Sequence, residues 1–212
     1  MELNKLQKRF ERSLDSADTE LTSFLTGLTS SSLQITEIHQ LEGWLSDVWQ
    51  VWCRFCRTAV FASCTGCTTT ASGVIAGVHV DRDSISFIAA NQKNGTAPKK
   101  AGTNTLLRIE PTWGHINKLI EVITALAPAN SASLLSGFGT VPQIDDVRII
   151  RNAAAHRNIQ TYQEVVNLSS GYRAAPIRHP VEALLWDDPL TGRKLIQARM
   201  DDMRIASKNV CI

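Results

Sequence analysis

The sequence predicts a mainly all-α protein: a helical bundle with an irregular, partly β insertion and a C-terminal β-hairpin. Three observations carry that expectation. Apolar residues recur at helical spacing over long runs. A stretch rich in Thr, Gly, Asn and Ser interrupts them near the middle of the chain. A turn shaped by Pro and Gly lies between two short apolar runs near the C-terminus.

Taken in order, residues 3–28 form the first predicted helix. Leu3, Leu6, Phe10 and Leu14 share a face, and Leu21, Phe24, Leu25 and Leu28 prolong it until Thr29-Ser30-Ser31-Ser32 breaks the pattern. A second helix is expected over about 36–64. There Trp44, Val48, Val51, Trp52, Phe55 and Ala59 line one face, widened by Trp49, Cys53 and Cys56. That breadth places this helix at the centre of a core. Residues 65–112 read as the insertion, with strand expected at Val74–Val80 and Ser84–Ala89, a turn at Asn94-Gly95 and a basic loop over Lys93–Lys100. Pro111-Thr112-Trp113 restarts helix. Ile116, Leu119, Ile120, Ile123 and Leu126 form its apolar stripe, and Pro128 ends it. Ser131–Gly137 reads as a short helix or turn.

After Pro142 a further helix is expected from near Gln143 to about Gln160, with Ile144, Val147, Ile150 and Ala154 facing inward. Thr161–Leu168 continues as helix. The runs Ala183–Trp186 and Lys194–Ile196 flank Asp187–Arg193 as a hairpin, and Asp201–Val210 closes the chain as helix. No repeat or linker stands out. The expectation is one domain over 1–212, with the insertion at about 65–112 and a hairpin plus terminal helix at about 183–210.

Composition narrows the function classes. The net charge of +2 provides no global basic field, so any nucleic-acid binding must come from a local patch. The polar N-terminus, MELNKLQKRFERSLD, lacks an apolar signal core, and no apolar run reaches the roughly 18 residues of a membrane span. The expected location is the cytoplasm. There, cysteines are thiols more often than disulfides. Cys53, Cys56, Cys64 and Cys67 form C-x2-C-x7-C-x2-C, which reads either as small apolar packing on a helix or as a zinc site with an unusually short spacer. No phosphate-binding loop, nucleophile elbow or dinucleotide fingerprint occurs. No cofactor and no metal are expected at the site.

The chemistry concentrates at Arg151-Asn152-Ala153-Ala154-Ala155-His156, on what reads as a buried helix. Arg holds phosphate, and an imidazole, with an ordinary pKa of about 6.5, moves protons near neutrality. The composition would generate Arg-Asn-x3-His by chance only about 0.02 times. On an ideal helix Arg148, Asn152 and His156 share a face, while Arg151 stands about 140° from His156. The three alanines put no bulk between them. A core helix whose Arg and His are satisfied locally remains the alternative on residues alone. Arg173-x5-His179 repeats a similar spacing, but Pro176 and Pro180 argue against a helix there. His39 and His115 read as packing or surface residues, and His79 has no evident partner.

The segment Asp145–Arg157 resembles the signature helix of the HEPN superfamily, whose hallmark is an Arg, a polar residue, three variable residues and a His. Arg151, Asn152 and His156 match those positions. The resemblance covers the helices between about 36 and 160 and is most similar to the RiboL-PSP type. It implies an all-α bundle that dimerises through the motif helix, and a metal-independent endoribonuclease of toxin–antitoxin or antiviral-defence systems. Arg151, Asn152 and His156 are then the catalytic residues, leaving a 2′,3′-cyclic phosphate on the RNA. Arg148, Arg157, Lys99 and Lys100 are candidate contacts to the RNA backbone. The implied partners are the RNA substrate, a second copy of the chain and an antitoxin or defence protein, with no membrane. Two other functions stand beside this one: a non-catalytic HEPN module that binds RNA or a partner protein, and a small zinc-binding protein.

Overall fold

The computed structural model describes residues 1–28, 32–71, 73–94 and 110–212. Helix dominates them. The helices are α1 (Leu3–Gly27), α2 (Ile35–Thr65), α3 (Arg82–Asn94), α4 (Ile116–Leu126), α5 (Ser131–Gly139), α6 (Asp145–His156), α7 (Ile159–Leu168) and α8 (Leu195–Cys211). Two three-residue strands, β1 (Cys67–Thr69) and β2 (Gly73–Ile75), pair antiparallel, with Cys67 opposite Ile75. The fold is therefore mainly all-α.

The chain packs as two compact units, each drawn from several stretches. The first comprises Met1–Phe10, Trp52–Pro142 and Arg204–Ile212. Its centre is aromatic. Phe10 stacks on Phe55 at 4.4 Å between ring centroids, and the edge of Phe138 meets Trp52 at 5.9 Å. The buried Trp52 indole donates to the Gly114 carbonyl at 3.1 Å, so its one polar atom is satisfied. Glu110 is an anchor in the same unit. It accepts a bidentate pair from Arg57, at 2.7 and 2.8 Å, and further bonds from Ser86 and Trp113. α4 packs on α3 and α5.

The second unit comprises Glu11–Val51 and Gln143–Met203. Here α6 packs on α7 and on a 3-10 turn, Pro180–Leu185. The Trp44 indole donates to Ala17 and the Trp186 indole to Ala175, at 3.0 and 2.8 Å. Arg199 is 7% exposed and stands among three carboxylates, those of Asp146, Asp188 and Asp202.

Three local expectations are corrected. Within the insertion, Ser84–Ala89 is helix, not strand. The Asp81 carboxylate accepts from the Ser84 backbone amide at 2.7 Å, a side-chain cap that starts α3. The expected C-terminal hairpin contracts to one bridge, Asp187 with Lys194, around the turn. Its first arm is the 3-10 turn, capped by His179 and Glu182, and its second arm already belongs to α8. The helix expected to reach Gln160 stops at His156. Asn158 caps α7 instead, accepting from Thr161 at 2.9 Å while its own amide donates to the Thr161 hydroxyl at 3.4 Å.

Candidate active site

α6 carries the Arg-Asn-x3-His motif within the second unit. Asp145 and Asp146 fill its first turn, where the helix dipole favours negative charge. Val147, Ile150 and Ala153 are its buried residues. At roughly 100° per residue these three mark one side of the helix. Arg151, Ala155, Arg148, Asn152 and His156 then follow, in that order, around the other side. The helix is thus buried on one side only, and Ala153 rather than the expected Ala154 joins Val147 and Ile150 there. Its motif faces away from the buried side.

Arg151 and Asn152 are half-buried and His156 is exposed. Among the described residues none of the three side chains has a hydrogen-bond or ion-pair partner. The His156 backbone carbonyl accepts from the Asn158 side-chain amide at 3.3 Å. Arg151 and His156 mark the two edges of the solvent-facing side. Arg148, Asn152 and exposed Ala155 lie between them around the helix.

The flanking arginines behave differently. Arg148 reaches back one turn and makes a bidentate pair with Asp145, both bonds 2.7 Å, which raises its already high pKa. Arg157 lies 2.8 Å from Glu42 and also reaches the Ala154 carbonyl at 3.4 Å. Both charges offered for an RNA backbone are therefore already paired within the chain. Lys99 and Lys100, the other two candidates, lie outside the described residues.

α6 is fastened at both ends. At its start, Asp146 accepts from the Tyr172 hydroxyl and lies 3.5 Å from Arg199. Burial pushes the Asp146 carboxyl up, and the Tyr172 and Arg199 contacts only partly offset that. At its end, the Glu42 carboxylate that holds Arg157 is also 3.4 Å from His179 Nε2. His179 Nδ1 accepts from the Val181 amide at 3.4 Å, which assigns the ring proton to Nε2. Nε2 is buried without a hydrogen bond, its approach to Glu42 falling outside hydrogen-bond geometry. Burial holds the His179 pKa below the ordinary imidazole value, against the pull of Glu42.

The remaining candidates fall into place as structural residues. Arg173 bridges Asp187 through its backbone, and no helix joins it to His179. His79 does have a partner, the Leu126 carbonyl at 2.8 Å. All five cysteines are thiols, with Cys56, Cys64 and Cys67 buried. Burial, reinforced by Cys67, pushes the Cys64 thiol up to about 12. Among the described residues no three His, Cys, Asp or Glu side chains are grouped so as to hold a metal ion. Nor, among them, is any helix long and apolar enough to cross a membrane.

Glu42, Asp146 and Tyr172 were not singled out from the sequence, and His179 was considered only as half of an Arg-to-His spacing. For His179 a signal existed: His-Pro-x-Glu is a cap with Pro at the first helical position. For Glu42 there was none, because its partners lie more than a hundred residues away. Comparison with known families, curated proteins and solved structures gives no match.

Proposed function

We propose that this chain is a metal-independent endoribonuclease of the HEPN type, acting in the cytoplasm as a toxin–antitoxin or antiviral-defence effector. The observation that supports it is the state of the motif. Arg151, Asn152 and His156 share the solvent-facing side of α6 and take part in no side-chain interaction among the described residues. A polar trio with no structural task, in the spacing of a ribonuclease motif, is available for substrate.

The reaction is transfer of the phosphodiester to the neighbouring ribose. A base removes the 2′-OH proton, O2′ attacks phosphorus and the P–O5′ bond breaks. An acid protonates O5′, leaving a 2′,3′-cyclic phosphate and a 5′-OH end. His156 fills one of the two proton-transfer roles, and His156 of a second copy fills the other. Arg151 binds the phosphate oxygens and offsets the charge that develops on them. Asn152 orients the phosphate by hydrogen bonds. The requirement for a 2′-OH restricts the substrate to RNA.

One observation favours a second reading. Arg148 and Arg157 are neutralised by Asp145 and Glu42, which weakens the electrostatic footprint for RNA around the motif. A non-catalytic module that docks a partner protein through α6 fits that balance. Incubating the purified protein with RNA in EDTA separates the two. Fragments ending in cyclic phosphate, lost on His156→Ala, support the nuclease. Intact RNA with the wild-type protein, or unchanged cleavage by His156→Ala, overturns it.

A further inference from the structure

Immediately beyond His156 the chain folds around a cavity of about 350 Å3. That size falls within the roughly 300–1,000 Å3 of small-molecule sites. Its wall begins on α6 with Ala153, continues through Ile159, Tyr162 and Gln163 on α7, and closes with Arg178 and His179.

We infer that this cavity is a nucleobase subsite, which takes one unstacked base of the single-stranded RNA strand cut at His156. The inference rests on the nuclease reading above and adds to it the substrate's conformation and a seat for one base. Its chemistry is that of a base, flat and apolar on its faces and polar at its edge. Ile159 is 90% exposed, an aliphatic side chain at the cavity wall with nothing covering it. The Tyr162 ring is half-buried and fixed, because its hydroxyl donates to the Ile177 carbonyl at 2.7 Å. Together they offer an apolar and an aromatic surface for stacking. Gln163 gives one amide hydrogen to Asn167 at 3.0 Å, which orients its amide group at the wall as a reader of the base edge.

Charge selects a nucleotide over an apolar peptide. The Arg178 side chain is exposed and has no partner among the described residues, unlike Arg148 and Arg157. It supplies a cation for the phosphate attached to the seated base. Position completes the argument. Arg157, the residue after His156, is itself part of the cavity wall, so a base held there belongs to a nucleotide close to the scissile bond.

The test is a titration of the full chain with the four nucleoside 5′-monophosphates and, separately, with inorganic phosphate, followed by backbone amide NMR. The expected result is that at least one nucleotide shifts the amides of residues 153–163, 178 and 179. Ile159→Asp, at an exposed position that does not endanger the fold, then weakens that binding about tenfold, as does Arg178→Ala. The subsite is overturned if no nucleotide shifts those amides, if Ile159→Asp binds as tightly as wild type, or if phosphate alone reproduces the shifts. The titration needs no turnover, so it stands apart from the nuclease assay with His156→Ala. In a cleaving protein, Ile159→Asp flattens the base preference at one position beside the cut; a preference there unchanged by the substitution also overturns the subsite.

Discussion

One residue beyond His156, the guanidinium of Arg157 lies 2.8 Å from the carboxylate of Glu42, tying the end of the motif helix to α2. The Arg157 side chain is 58% exposed and that of Glu42 23%, so the pair is partly screened by water and contributes about 0.5–1 kcal/mol. Glu42→Ala is expected to lower stability by about that amount and to speed amide exchange at residues 156–158. Arg157→Ala should cost a similar amount, and the double variant less than the sum of the two. Strictly additive losses in chemical denaturation would show that the contact carries no energy.

Replacing the motif itself should separate activity from stability. His156→Ala is expected to reduce RNA cleavage by at least 10²-fold, the usual contribution of a positioned acid or base, and Arg151→Ala to do the same. Neither side chain has a hydrogen-bond or ion-pair partner among the described residues, so each should shift unfolding free energy by less than about 0.5 kcal/mol. Cleavage assays beside thermal melts check both halves. A large loss of stability in either variant would contradict the geometry of α6.

Much of this arrangement was legible in the sequence, and the misses share a cause. α1, α2 and α4 matched their apolar periodicity closely, because each buries a long stripe. α3 was misread because Ile85, Phe87 and Ile88 suit a strand as well as a helix, and the deciding residue is the capping Asp81. The end of α6 was misplaced because Asn158 looks like any polar helix residue until its side chain is seen accepting from Thr161. The motif residues were legible as chemistry. Their degree of exposure was not, because the three alanines between Arg151 and His156 do not say which side of the helix is covered.

Around Arg199, two neighbouring aspartates should respond in opposite ways. Asp188 is 5% exposed. Burial pushes its pKa up, but the Thr191 and Leu190 amides, the Thr191 hydroxyl and Arg199 bring it below the ordinary range. Its charge stabilises the fold above the unfolded carboxyl pKa of about 3.9, and that contribution is lost as pH falls through the lower folded value. Asp188→Asn should cost about 2–4 kcal/mol. Asp146 has a raised pKa, so the folded state gains as pH falls through that value. Asp146→Asn keeps an acceptor for Tyr172 and should cost less than about 1 kcal/mol. Urea unfolding of the two variants at neutral pH tests the ranking.

His179 should make the protein acid-sensitive in a defined direction. Burial lowers its folded pKa, against opposing contributions from Glu42 and Glu182 and with further lowering by Arg157 and His39. The unfolded imidazole takes up a proton below pH of about 6.5 while the folded one still resists it. Stability is therefore complete above that pH and falls on acidification until the folded ring protonates. His179→Gln should flatten the dependence just below pH of about 6.5, measured by denaturation at each pH. An unchanged slope would sink this assignment.

In the first unit, Gly137 on α5 meets the end of α8. A Cβ there would stand 2.7 Å from Val210 Cγ2 and 3.0 Å from the Val210 backbone nitrogen. Gly137→Ala forces one helix to shift and should cost about 1–3 kcal/mol despite the better helix propensity of Ala. Thermal unfolding decides it, since a stabilised variant would show that the helices part freely.

The isolation of Arg151, Asn152 and His156 also bears on evolution. Folding asks little of the three positions, because no hydrogen bond, ion pair or ring contact of their side chains exists among the described residues. A lineage that no longer needed what they do would lose them to drift one at a time, without misfolding to betray the change.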